Sequence, residues 1–255
     1  MRKISISMVL AAAFFAILVL SCGAPSKRIM ATPASIKGAE PVGMETCALC
    51  HEGKVENFKY TAHSRLFIAG DDREILGCEA CHGAGSLHLE VGGGRGQHII
   101  NPGKNPGTCF ECHMDVKVAF RLQYHHPVKE RRLNCTNCHN PHGEDIFKAK
   151  GMRMGRENDV CRQCHPEKAR PKVFEHEALR EGCTICHRPH GSINEKMLVE
   201  RDNNLCLKCH AQVATPRSIT IGDFSHTSNL AQGTCWSAGC HTAVHGSDIN
   251  PHMRY

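Results

Sequence analysis

Aromatic side chains are scarce in this chain. They make up 5% of the residues, with one tryptophan and three tyrosines. That shortage excludes the row of stacking rings on which a single-stranded nucleic acid would lie. Charge of one sign is equally thin: 31 Lys+Arg against 25 Asp+Glu leave a net +6, with no basic block along the sequence. A nucleic-acid-binding domain needs such a block, so no nucleic-acid partner is expected. Long apolar runs are missing beyond about Leu20, which leaves the N-terminus as the one candidate membrane segment.

Cysteine is abundant, and almost none of it lies outside a motif. Of 17 cysteines, 16 fall in eight Cys/Cys-His clusters, and Cys22 is the remainder. Seven clusters are Cys-x-x-Cys-His: Cys47/Cys50/His51, Cys78/Cys81/His82, Cys109/Cys112/His113, Cys135/Cys138/His139, Cys161/Cys164/His165, Cys183/Cys186/His187 and Cys206/Cys209/His210. The eighth, Cys235/Cys240/His241, has four residues between its cysteines. Structural zinc takes about four ligands per metal, usually as two facing pairs, and has no need of a histidine after every pair. A disulfide framework would couple no histidine to its cysteines. Cys-x-x-Cys-His is the attachment signature of c-type haem. Both thiols bond to the porphyrin and the adjacent imidazole becomes an axial iron ligand. The expected cofactor is therefore haem c, in eight copies.

The N-terminus reads as a secretion signal over residues 1–21. A short basic region, Arg2 and Lys3, precedes the apolar stretch. Leu18-Val19-Leu20-Ser21-Cys22 resembles a lipobox, which marks Cys22 for lipidation, against the alternatives of an ordinary signal peptide or an uncleaved anchor. All three send the chain out of the cytoplasm. The expected location is the periplasm, with the lipid holding the chain at the outer membrane. Residues 22–44, rich in Ala, Pro, Ser, Gly and Lys, read as a flexible tether. Removing residues 1–21 lowers the charge from +6 to +4, and the remaining basic excess reads as compensation for haem propionates.

From residue 135 the chain repeats. Cys135-Thr-Asn-Cys138-His139-Asn-Pro-His142-Gly matches Cys183-Thr-Ile-Cys186-His187-Arg-Pro-His190-Gly, and Arg156-Glu-Asn158-Asp-Val-Cys161 matches Arg201-Asp-Asn203-Asn-Leu-Cys206. Phe174-Glu-His176 and Phe224-Ser-His226 also correspond. A repeat of this kind implies stacked units rather than one globular core. Two modules are expected: residues 45–145 for haems one to four, and residues 146–255 for haems five to eight. With so little chain per haem, the expected fold is mostly loops and short α-helices wrapped around an extended haem stack, with little or no β-structure.

The repeat also sorts the remaining histidines. His63, His88, His125 or His126, His142, His176, His190, His226 and His245 each follow a motif and form the expected distal axial set. Internal alignment of His125-His-Pro with His176-Glu-Ala favours His125, while His98 and His252 are surplus. His139 and His142 project to one side of a turn and cannot reach opposite faces of one porphyrin. His142 and His190 are therefore expected to ligate neighbouring haems.

The stretches Cys47–His63, Cys81–His88, His125–Gly143 and Phe174–Asn194 together resemble the periplasmic multihaem cytochromes that include the decahaem component of porin–cytochrome conduits. Small pentahaem electron donors to nitrite reductase look like shorter relatives. The resemblance implies bis-histidine haems in a chain and an electron carrier rather than an enzyme, with no catalytic residues. It also implies three kinds of partner: an outer-membrane β-barrel porin, an extracellular multihaem cytochrome, and periplasmic or inner-membrane donor cytochromes. This chain departs from the decahaem pattern in having eight sites, a stretched last motif and a lipidation signal. The competing class is a multihaem reductase for nitrite, hydroxylamine or a sulfur oxyanion. Such an enzyme needs an iron with an open position, yet every motif here ends in His and a distal histidine is available for each.

Overall fold

In the computed structural model, residues 35–65, 77–143, 157–210, 212–230, 232–237 and 239–254 are described. The signal segment, Cys22 and most of the tether lie outside them.

Most helices among the described residues are only four to six residues long, and the helices Glu79–His82, Gly107–Phe110, Glu157–Arg162 and Asn203–Leu207 carry motif cysteines. One helical turn puts Cys i, Cys i+3 and His i+4 on a single face. The histidine N–H closes that turn onto the first cysteine's carbonyl, at 3.0 Å for His82–Cys78 and 2.9 Å for His113–Cys109. His139–Cys135 and His165–Cys161 close in the same way. The backbone then leaves the helix at the histidine: His113 has φ −91°, ψ 62° and His165 has φ −122°, ψ 55°. Even the longest helix, Met44–Phe58, is kinked at His51 (φ −120°, ψ 36°). The stretched eighth motif keeps the same closure, because His241 N–H donates to the Cys235 carbonyl at 2.9 Å across the wider loop.

The His-Gly elements tie the helical turns together. Ser192, just past His190-Gly191, exchanges two backbone hydrogen bonds with Tyr124, at 3.1 and 2.8 Å. Ser247, just past His245-Gly246, does the same with Phe174, at 2.8 and 2.9 Å. These two serines are among the most deeply buried residues described, at 4% and 2% exposure. Glycine is needed beside each staple. A Cβ on Gly191 would overlap the Ala119 carbonyl oxygen, and one on Gly246 (φ +98°) would lie 2.7 Å from Lys172 Cγ and 3.0 Å from the Phe174 carbonyl oxygen. After His142, a Cβ on Gly143 (φ +81°) would likewise lie 2.5 Å from Thr61 Cγ2 and 2.6 Å from the Asn57 carbonyl oxygen.

Among the described residues, β-strands occur only within residues 212–225. Strands β1 (Gln212–Thr215), β2 (Ser218–Ile221) and β3 (Phe224–Ser225) form an antiparallel meander, with Gln212 opposite Ile221 and Thr220 opposite Ser225. Val213, Ile219, Thr220 and Ile221 supply the β-branched side chains that favour it. The buried apolar side chains among the described residues are Val55, Phe58, Phe120, Val128, Val160 and Leu198. So short a set does not make a conventional core. The fold is mostly short helices and loops with little β, as the sequence leads one to expect.

Candidate haem-binding sites

The histidines that end the motifs do not point into solvent singly. Each of seven faces another imidazole. His113 lies opposite His63 with ring centroids 6.0 Å apart, and His82 lies opposite His142 at 6.1 Å. His165 faces His126 at 6.3 Å, and His139 faces His190 at 6.1 Å. His210 faces His176 and His187 faces His245, both at 6.1 Å, and His241 faces His226 at 6.4 Å. Direct ring packing would tolerate many separations, but these fall within a narrow band.

Several of these rings are locked in one tautomer. Nδ1 of His82 meets the Ile100 carbonyl at 2.8 Å, and Nδ1 of His126 meets that of Pro189 at 2.7 Å. His176 bonds to Val244 O (2.9 Å), His187 to Lys196 O (2.9 Å), His226 to Phe224 O (3.0 Å) and His241 to His252 O (2.6 Å). A carbonyl can only accept, so Nδ1 carries the proton and the free lone pair is left on Nε2. Burial, followed by the facing or neighbouring imidazoles, holds His63, His139, His210 and His245 below the ordinary histidine range. Burial does the same for His190.

The cysteines connect the motifs. The thiols of Cys47 and Cys78 hydrogen-bond to each other, as do those of Cys109 and Cys135. The second pair drives Cys109 upward and Cys135 down to about 7. Cys206 is pushed up to about 12, by burial first and then by Cys235. The second cysteines lie near enough to influence one another at the alternate junctions. Burial raises Cys81, Cys138 and Cys186, with further contributions from the adjacent Cys112, Cys164 and Cys209 respectively. Between the fifth and sixth motifs, the Glu157–Arg162 helix packs on the Cys183–Ile185 turn. The motifs thus follow one another in space in the order of the sequence, joined alternately through their first and second cysteines.

Comparisons with known proteins bear on the motifs themselves. A family described as the doubled CXXCH motif matches residues 125–170 and 176–215. Multiheme cytochrome MtrA of Shewanella baltica is 26% identical, covering 82% of this chain and 79% of its own length. C-type polyheme cytochrome OmcB of Geobacter sulfurreducens is 27% identical over 64% of this chain, which spans 19% of OmcB. This chain is a multihaem c-type cytochrome related to MtrA.

The residues of this cytochrome fit haem c. Two metal–nitrogen bonds of ~2 Å, with roughly 1 Å from each nitrogen to its ring centroid, require facing imidazole centroids about 6 Å apart. The seven pairs span 6.0 to 6.4 Å. Among the described residues no three His, Cys, Asp or Glu side chains converge as a cage for a bare metal ion, so a zinc site finds no ligand set there.

The structure also distinguishes the two adjacent histidines. His126 faces His165, whereas the internal alignment had pointed to His125. Both nitrogens of His125 are engaged, Nδ1 with the Leu122 carbonyl at 2.7 Å and Nε2 with Glu130 at 3.2 Å. That contact holds the Glu130 carboxyl below its usual range. Of the surplus histidines, His98 sits in a left-handed turn (φ +49°) and the His252 ring packs against Phe224. His142 and His139 face different partners, His82 and His190.

A connecting rule runs through the pairs. The histidine that follows an odd-numbered motif faces the motif two places ahead: His63 to the third, His126 to the fifth, His176 to the seventh. The histidine that follows an even-numbered motif faces two places back: His142 to the second, His190 to the fourth, His245 to the sixth. Nothing in linear spacing encodes this interleaving. The recurrence of Pro-His-Gly was one available signal, and it marks His142 and His190 without naming their partners. No helix among the described residues is long and apolar enough to cross a membrane.

Proposed function

We propose that this protein is an octahaem electron carrier of the periplasm, the periplasmic component of a porin–cytochrome conduit for extracellular electron transfer. The observation that carries the reading is the set of facing imidazoles strung in chain order. When bound, haem supplies a one-electron ferric/ferrous couple. The motif cysteines hold it covalently: Cys47, Cys50, Cys78, Cys81, Cys109, Cys112, Cys135, Cys138, Cys161, Cys164, Cys183, Cys186, Cys206, Cys209, Cys235 and Cys240. Each facing pair would give one iron two histidine ligands, and such an iron would have no position for nitrite, hydroxylamine or a sulfur oxyanion. This supports a carrier over a reductase.

The eighth ligand pair follows from the connecting rule. At the C-terminal end the eighth motif has no motif two places ahead and faces His226, which follows the seventh motif. The mirror-image ending at the N-terminus pairs His51 of the first motif with His88, which follows the second. His88 carries the same tautomer lock as the others, with Nδ1 donating to the Gln97 carbonyl at 2.8 Å.

The partners are a β-barrel porin with an extracellular multihaem cytochrome on one side and donor cytochromes on the other. Support comes from the resemblance to porin–cytochrome conduits and from the relation to MtrA. Cys22, lipidated, would hold the carrier at the outer membrane, and residues 45–145 and 146–255 would act as two four-haem modules. The test is reconstitution in liposomes, with reductant inside, an insoluble ferric acceptor outside, and the barrel and extracellular cytochrome in the membrane. Transfer should require this protein. Transfer unaffected by leaving it out, or turnover of nitrite or hydroxylamine by the isolated protein, would overturn the proposal.

A further inference from the structure

One repeated sequence element has no part in iron ligation. Asn158 stands three residues before Cys161 and Asn203 three residues before Cys206, each in the helix that carries an odd-numbered motif. Both side chains reach across to the next, even-numbered motif. Oδ1 of Asn158 accepts the Cys183 N–H at 3.0 Å and lies 3.0 Å from the Cys183 sulfur, while its Nδ2 donates to the Leu179 carbonyl at 2.6 Å. Oδ1 of Asn203 accepts the Cys235 N–H at 2.9 Å and lies 3.2 Å from the Cys235 sulfur, while its Nδ2 donates to the Gly233 carbonyl at 3.2 Å.

The chemistry calls for an amide. One end must accept from a cysteine N–H and the other must donate to a carbonyl upstream of that cysteine, and asparagine offers both on a short stem. When the cysteine becomes a thioether, its S–H donor is lost. The backbone N–H remains, so the clamp survives haem attachment. The positions three residues before Cys47 and Cys109 hold Met44 and Pro106, which cannot make this contact. The device therefore belongs to the junctions between motifs five and six and between motifs seven and eight.

We infer that Asn158 and Asn203 are positioning residues that fix the first thioether of the sixth and eighth haem sites against the preceding site, and so set the electronic coupling within each of these two haem pairs. This rests on the haem reading above. The clamp acts through the cysteine backbone and touches no iron ligand, so spin state and haem pairing should respond separately to its removal.

The experiment compares purified full-length wild type with Asn158→Leu, Asn203→Leu, the double variant and Asn158→Asp. Intact mass, ferric spin state and Soret-region circular dichroism are read on each. The leucine variants should keep the wild-type mass and an all-low-spin spectrum, yet each should lose one pair's contribution to the Soret exciton couplet, and the double variant should lose two. Asn158→Asp keeps the acceptor for Cys183 N–H but sets a carboxylate oxygen against the Leu179 carbonyl, so it should retain part of the signal that Asn158→Leu loses. A haem deficit in Asn158→Leu that Asn158→Asp repairs also supports the clamp, and a deficit equal in both overturns it. Full haem content with an unchanged couplet in both leucine variants overturns it as well. A wild-type mass that lacks the haems instead sinks the reading underneath.

Discussion

Replacing Gly191 with alanine should dislodge one axial ligand while leaving every cysteine and histidine in place. A Cβ at this position overlaps the Ala119 carbonyl oxygen, and the next atoms it meets are Ala119 C at 2.9 Å and His125 Cβ at 3.5 Å. Two of the three are backbone and the third is bonded directly to it, so relief requires the segments themselves to separate. Overpacking of this kind costs about 1–3 kcal/mol. Separation also stretches the Tyr124–Ser192 staple, whose two hydrogen bonds contribute about 0.5–1.5 kcal/mol each. Together these give a destabilisation of about 2–6 kcal/mol, focused beside His190 and hence on its partner His139. Gly92→Ala is the control. Its φ of +76° is unfavourable for alanine, but a Cβ there meets nothing within 4 Å, so only the left-handed backbone penalty of ~1–2 kcal/mol applies. Guanidinium unfolding gives the stability of each variant, and electron paramagnetic resonance counts high-spin ferric sites. Gly191→Ala should be the less stable of the two and should show one new high-spin site. Equal stability, with every site still low-spin, would refute the reasoning.

The adjacent histidines should behave oppositely: His126→Ala should create one high-spin site, and His125→Ala none, as read by the same resonance spectrum. His88→Ala should open the iron held by Cys47 and Cys50, detected as one equivalent of carbon monoxide bound by the reduced protein. Glu79 is 6% exposed, and its carboxylate accepts the N–H groups of Val42, Gly43 and Gly85 at 2.9, 3.1 and 2.9 Å. Glu79→Gln can satisfy fewer of them and should lower stability by about 1.5–3 kcal/mol in guanidinium, without changing the haem count. Mass spectrometry of the mature N-terminus should find a lipidated Cys22, and Cys22→Ala should release a soluble periplasmic protein.

The attachment sites were legible in the sequence because covalent chemistry fixes their spacing to a single helical turn. The stretched motif was legible for the same reason, and its Cys235–His241 closure shows that a wider loop meets the same requirement. The Pro-His-Gly elements stood out through repetition, and the packed surroundings of Gly143 and Gly191 explain why glycine follows the histidine. Pairing was not legible. His63 reaches the third motif and His142 the second, a crossing set by tertiary stapling between segments far apart in the chain. Nor could spacing separate His125 from His126. They are adjacent in sequence, and only the backbone carbonyls of Leu122 and Pro189 turn them apart. Asn158 and Asn203 showed as a repeat, but their task depends on Cys183 and Cys235, which lie beyond local sequence. The small β-meander, with no counterpart in the matching unit after the fifth motif, escaped for want of a long alternating run.

The most direct test of a closed bis-histidine wire is a combined haem count and spin count on the purified wild-type protein. Intact mass with pyridine haemochrome should give eight haems, and low-temperature electron paramagnetic resonance should give only low-spin ferric signals, with no stoichiometric carbon monoxide binding after reduction. Seven haems would mean that the stretched Cys235–His241 site carries none. Four or fewer haems, or a high-spin site that takes up carbon monoxide one to one in the native protein, would contradict the carrier and restore a reductase.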